Sequence, residues 1–177
     1  IKDALKNNKS EKYFYGENFN YLQAENSFIQ YEDNKGSLIL PQPNILGEHQ
    51  LANISTAIMT SRTIFNVKDE SIKRAVICID LKGRLQEIKS GKLKTLAKNN
   101  HLILDGGHNK NSSTALAKWM DTLNQDIHLI IGMMNDKQHN EYLNSFKGKI
   151  KSLTIIDIHQ EGSIPKEKFK LKIQNEF

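Results

Sequence analysis

At 177 residues the chain has room for one large or two small domains, and with 38% hydrophobic residues it can bury a core. No apolar run approaches the ~20 residues that a membrane-spanning helix needs, so a membrane partner is not expected. The net charge of +5, from 25 Lys and Arg against 20 Asp and Glu, favours anionic ligands. The lysines are scattered with few aromatics among them, which argues against nucleic acid.

Cys78 is the single cysteine, so neither an intrachain disulfide nor a cysteine zinc cluster can form, and a reducing cytoplasm is the expected setting. The first residues, IKDALKNNKSEK, are polar and lysine-rich, unlike a signal peptide. The chain opens on Ile1 rather than Met, as a piece of something longer would.

From the N-terminus, short alternating runs of aromatic and β-branched residues predict strands near 12–16, 19–22, 27–32 and 37–41, with EDNKG at 32–36 as a turn. Pro41 and Pro43 close this section. Leu51, Ile54, Ile58 and Phe65 then recur at helical spacing and predict an amphipathic helix over 48–64. Ile72, Val76 and Ile79 predict a second helix, with Asp69 as its cap.

The pattern changes near 82–84. GRLQEI reads as a short strand and GKLKTLAKNN as a turn with a loop or strand. HLILD reads as a buried strand ending at Asp105. SSTALAKWMDTLN is a helix with Ala115, Leu116, Trp119, Met120 and Leu123 on one face. IHLIIGMM is a second buried strand, KQHNEYLNSF a helix and KSLTIIDI a third strand. Strands and helices in alternation, with near-continuous apolar strands, predict an α/β fold with a parallel sheet. The lysine-rich KEKFKLKIQNEF is open between a strand and a frayed end. Residues 1–81 thus form a part of strands followed by two helices, and residues 82–177 a small Rossmann-like part.

Four clusters carry polar groups suited to chemistry. In ILDGGHNKNSS, Asp105 ends a strand, and ligands of open α/β sheets bind at such ends. Gly106 and Gly107 permit a sharp turn, and the free N–H groups of the following helix attract an anion. Asp105 then suits a hydroxyl or cation, and His108 and Asn109 a polar substrate. The same residues also read as an ordinary strand–turn–helix, with Asn111, Ser112 or Ser113 as cap. In GEHQLAN, the side chains of His49, Gln50 and Asn53 share a side of the first helical turns. Amides of this kind suit an adenine edge, and equally a solvated helix face. In KGRLQ, Arg84 beside Gly83 has the fork to hold a phosphate, although one Arg after a Gly is weak as a signal. In IIGMMNDKQHNEY, Asp136 and Lys137 sit at another strand end, to line a crevice with Asp105, or with Asn135 or Asp136 as a helix cap.

His101 and His128 open strands and read as structural, and His139 and His159 have no evident partner. There is no metal-ligand spacing, no G-x-x-x-x-G-K-[ST] phosphate loop and no G-x-S-x-G elbow.

In this order, LGEHQLAN, KGRLQ, LILDGGHN and IGMMNDK resemble the motifs of the folylpolyglutamate synthase / dihydrofolate synthase family of the Mur ligase superfamily. That family shows G-x-H-Q-x-x-N, P-G-R, D-x-A-H-N-P and a G-M-x-x-D-K-like stretch. YGENFNY also resembles its segment ahead of the helix, and the resemblance spans about residues 12 to 157.

The resemblance implies the end of a Mur-ligase-like ATPase domain (1–81), followed by a truncated Rossmann-like parallel-sheet ligase domain (82–177). It implies an ATP-dependent ligase that joins L-glutamate to folate or dihydropteroate through an acyl phosphate, with Mg²⁺. By position it places Asn53, with His49 and Gln50, at the adenine region, Arg84 at the phosphates and Asp105 at the ribose side. His108, in a catalytic role with Asp105, falls with Asn109 and Lys137 at the glutamate end.

The phosphate loop and metal ligands of the family lie upstream of the matching stretch and are not in this chain. Lys82 and Lys110 replace motif prolines, and Gln138 stands where the family often has Asp. The chain therefore reads as a C-terminal fragment, inactive alone. It either works with a complementing N-terminal half or survives as a non-catalytic nucleotide- or folate-binding remnant.

Overall fold

A computed structural model describes residues 9–23 and 28–173. The chain divides into two compact units: Ile1–Asn44 with His49–Asp80, and Ile45–Glu48 with Leu81–Phe177.

The first unit is built on an antiparallel sheet of β1 (Phe19–Gln23), β2 (Phe28–Asp33) and β3 (Gly36–Pro41), in the order β1-β2-β3. Its register follows from period-2 patterning. Tyr21, Tyr31 and Leu38 lie side by side on one face, as do Ile29 and Leu40, while Leu22, Gln30 and Ile39 point the other way. Tyr31 and Leu40 are buried, and Leu22 and Ile39 are about half exposed. The strand expected near 12–16 does not form. That stretch is a turn, in which Asn18 N–H donates to Phe14 O and Phe14 N–H to the Asn18 side chain. Tyr15 makes only an isolated bridge to Phe19. Its aromatics mimic strand alternation, yet Gly16 at φ 83° reverses the chain.

Helix α1 (Glu48–Ile64) buries Leu51, Ile54, Ile58 and Met59 along one stripe, each worth about 1.5–3 kcal/mol when fully removed from water. In α2 (Asp69–Ile77) the capping position is Lys68, not Asp69. Asp69 opens the helix, where its charge suits the N-terminal dipole, and lies 3.7 Å from Arg62.

The second unit is mixed. β4 (Gln86–Glu87) pairs antiparallel with β5 (Ile103–Leu104), and β6 (His128–Ile131) pairs in parallel with β7 (Ser152–Ile155). Between β4 and β5 runs α3 (Lys92–Ala97), where a loop or strand was expected. This helix buries nothing, and Leu93 and Leu96 are exposed. Helices α4 (Lys110–Met120), α5 (His139–Asn144) and α6 (Lys166–Ile173) complete the unit. The final four residues of the lysine-rich segment lie outside the described residues.

Leu116, Met120, Leu143 and Phe169 from these helices form one core with Phe146, in the turn after α5, and Ile131, and Leu129, Leu153 and Ile155 pack against it. The strands expected to be buried are covered on this face alone among the described residues. Ile130 is 61% exposed and Leu104 52%. An apolar run reads as burial on both faces, but here one face faces helices and the other does not.

Candidate functional site

In the first unit, the opening of α1 carries a chain of side-chain hydrogen bonds. Asn53 Nδ2 donates to Gln50 Oε1 at 3.0 Å, and Gln50 Nε2 lies 3.0 Å from His49 Nε2. Gln50 is buried and Asn53 exposed. The three share one side of the helix, as the spacing predicts, and the exposed Asn53 keeps its carbonyl oxygen for a further donor.

In the second unit, the loop before β4 meets the turn after β5, and a third loop follows β6. Asp105, just beyond β5, uses both carboxylate oxygens on backbone. Oδ2 accepts from Leu85 N–H at 2.9 Å, and Oδ1 accepts from Gly107 N–H at 2.7 Å. Gly106 N–H donates to Gly83 O at 2.8 Å. A Cβ on Gly107 would stand 2.7 Å from Asp105 Oδ1 and 2.8 Å from Ser112 Cβ, so nothing larger than glycine fits this turn as it stands.

His108 is exposed, its Nδ1 3.2 Å from Gly106 O. Asn109 is the cap of α4. Its side chain accepts from Ser112 N–H, and Ser112 Oγ accepts from Asn109 N–H, a reciprocal capping box. The cap is thus Asn109 rather than Asn111, Ser112 or Ser113, and the amide oxygen of Asn109 is engaged in the helix start. The arginine of the KGRLQ stretch, Arg84, lies beside this turn: its Nη1 is 3.3 Å from where a Cβ on Gly106 would stand.

Beyond β6, Lys137 Nζ donates to Asp136 Oδ2 at 2.9 Å, which holds the Asp136 carboxyl below the usual carboxylate range. The charge of His108 lowers it further, so the two loops lie within electrostatic reach. Neither Asn135 nor Asp136 caps α5, whose capping position is Gln138, with no side-chain bond. Lys137 lines an open cleft of about 520 Å³ with Asn135, Asp136, Ser163, Pro165 and Lys168. Arg84, Asp105 and His108 are not in that lining. The cleft is shaped by residues 162–164, which pair back on the loop: Asn135 N–H donates to Gly162 O, and Ile164 N–H to Met133 O.

Two buried groups beneath these loops escape sequence reading. His139 is 4% exposed, with Nε2 donating to Met134 O at 2.9 Å and its ring 4.8 Å from that of Phe169. Burial pushes its pKa down, which favours the neutral ring. Tyr142 is buried against Phe146. Burial first, and then the charge of Asp105, push its hydroxyl up to about 12. Neither has a local motif, since each partner lies elsewhere in the chain. Of the two histidines expected to open strands, His128 does open β6 and contacts Ser152, whereas His101 lies two residues before β5 and contacts Glu87; both are exposed.

No family model matches the sequence, and no curated protein does. Solved structures do. Escherichia coli FolC in complex with ADP, without folate substrate, superposes with a TM-score of 0.79 at 22% identity, over 99% of this chain and 40% of that one. The same enzyme with DHPP and ADP gives 0.75 at 21%, over 90% and 36%. Mycobacterium tuberculosis folylpolyglutamate synthase complexed with ADP and AMPPCP gives 0.78 at 17%, over 92% and 37%. The chain has the fold of a portion of these synthases and spans about two fifths of their length. Among the described residues no helix is long and apolar enough to cross a membrane.

Proposed function

We propose that this chain is the C-terminal portion of an ATP-dependent carboxylate–amine ligase that adds L-glutamate to folate or dihydropteroate. The observation that carries this reading is the coincidence of fold and motif. Three of the four ordered motifs fall in strand-end loops of the second unit, and the fourth opens α1 as a bonded His49–Gln50–Asn53 chain. The fold that holds them is that of synthases solved with ADP.

In the proposed reaction a carboxylate oxygen of the folate or pteroate attacks the γ-phosphorus of ATP, and ADP leaves. The glutamate amine then attacks the acyl carbon, phosphate leaves and the amine loses a proton. Positioning and cationic stabilisation of phosphoryl oxygens supply most of such catalysis. In this reading Asn53 offers its amide to adenine, Arg84 its guanidinium to phosphate, and His108 and Lys137 face the glutamate end. Asn109 shapes that end by starting α4. Among the described residues no three His, Cys, Asp or Glu side chains could hold a metal. The Mg²⁺ of such a reaction is assigned, from the resemblance, to residues outside this chain.

The test is calorimetric titration of the purified chain with ADP, followed by mixing it with an N-terminal half that carries the phosphate loop. Saturable binding that Asn53→Ala and Arg84→Ala each weaken, together with ATP-dependent glutamate addition by the mixture, is the expected outcome. Binding without addition would leave the non-catalytic nucleotide-binding remnant. No binding by folded protein would sink both.

A further inference from the structure

Tyr142 belongs to the core of the second unit, 4% exposed, with its ring edge-on to Phe146 at 5.3 Å. Its hydroxyl is the exception in that setting. Among the described residues it makes no hydrogen bond, although every deeply buried side-chain nitrogen and oxygen has a partner. The Tyr142 oxygen is therefore the part of the residue that reaches solvent. Ser113 Oγ, at the opening of α4, lies 2.8 Å from Ser145 Oγ, and Tyr142 stands one helical turn before Ser145 on the same face of α5. The hydroxyl thus surfaces beside the turn that links β5 to α4. The charge that acts on it is that of Asp105 in this turn.

The turn itself is fixed. Asp105 accepts from Gly107 N–H and from the N–H of Leu85, a core leucine held in the left-handed region at φ 43° with 2% of its surface exposed. Such a conformation persists only where its surroundings over-determine it. Each Asp105 oxygen accepts one backbone bond and keeps a lone pair for a ligand. A carboxylate beside a donating phenol does not suit a phosphate, which the carboxylate repels. The pair suits a neutral hydroxyl, which donates and accepts at once. A nucleotide presents such groups on its sugar. Resting on the nucleotide reading above, we infer that Tyr142 is a further specificity-determining residue: its hydroxyl donates to a sugar hydroxyl of the bound nucleoside diphosphate, next to the Asp105 carboxylate, which accepts from the sugar. Phenylalanine would fill the same space in the core, so the oxygen adds only what it offers to this strand end.

Calorimetric titration of the wild-type chain and of Tyr142→Phe with ADP, 2′-deoxy-ADP and 3′-deoxy-ADP tests this. Wild-type protein is expected to bind ADP about tenfold more tightly than one of the deoxy analogues, the loss of one hydrogen bond. Tyr142→Phe is expected to weaken ADP about tenfold and to leave the affinity for that analogue unchanged, so that the preference disappears. Equal affinity of the wild type for all three ligands would overturn the inference. So would a loss of the same size for ADP and both analogues, because the hydroxyl would then act on something other than the sugar.

The second arm needs no ligand. Tyr142→Phe removes an oxygen that the folded chain does not bond, so its thermal midpoint should equal or exceed that of the wild type. A midpoint lowered by several degrees would show that the hydroxyl is bonded inside the protein, and would also overturn the inference. Wild-type protein that fails to bind ADP sinks the nucleotide reading and the inference with it. ADP binding that Tyr142→Phe leaves intact sinks the inference alone.

Discussion

Asp33 and Arg62 form an ion pair at 3.0 Å with side chains 1% and 9% exposed, tying the tight turn after β2 to the last turn of α1. The pair is well supplied with partners. Tyr31 OH donates to Asp33 Oδ2 and Lys35 N–H to Asp33 Oδ1, while Lys35 Nζ donates to the Arg62 carbonyl. Arg62→Ala strands a buried carboxylate and is expected to destabilise the first unit by about 3–5 kcal/mol. Urea unfolding followed by circular dichroism measures it. A loss below about 1 kcal/mol, the range of surface pairs, would mean that water reaches Asp33.

Tyr31 is wholly buried, and its hydroxyl joins Asp33 to Met59 Sδ at 3.6 Å. Burial, followed by the hydrogen bond to Asp33, raises its pKa, so it stays protonated and donates throughout the physiological range. Tyr31→Phe keeps the ring and removes the donor. The expected cost is about 1–3 kcal/mol, because Asp33 loses a bond it cannot replace from solvent. Combining Tyr31→Phe with Arg62→Ala should give less than the summed losses, since both act on one carboxylate.

Asn109 starts α4 and also fixes the turn that presents His108. Asn109→Ala should cost about 1 kcal/mol through the lost cap, read as a lower thermal midpoint. Asn109→Asp retains the acceptor at a helix N-terminus and should cost little. If the two variants melted together, the cap would not be what holds this turn.

His139 makes stability depend on pH. Its folded pKa lies below the ordinary value of 6.5, because burial disfavours the charged ring. The unfolded chain therefore takes up the proton first. Its contribution is complete above pH 6.5, falls as acid protonates the unfolded chain, and levels off once the folded pKa is passed. Unfolding titrations at a series of pH values should show stability falling below pH 6.5. In His139→Gln that slope should flatten. An unchanged slope would place the proton uptake on another group.

How much of this was legible depended on where each partner sits in the chain. Helix α1 could be read to its ends because Leu51, Ile54 and Ile58 repeat along the one face that is buried. Helix α3 could not, since Leu93 and Leu96 pack on nothing among the described residues and leave no contrast between faces. The Asp105 cluster was visible as a strand end with glycines and a helix start. Its partner from the other loop, Leu85 N–H, was not visible, because a backbone donor carries no residue signature. The same holds for His139, whose acceptor is a carbonyl and whose ring partner, Phe169, comes thirty residues later.

The left-handed leucine at position 85 also limits how this protein can be improved. Glycine there would relax the backbone but empty a filled part of the core, and any bulkier side chain would keep the backbone cost. No single substitution satisfies both demands. Selection for thermal stability alone would therefore stall at this position, and gains would have to come as coupled changes: Leu85→Gly together with a larger neighbour that refills the space.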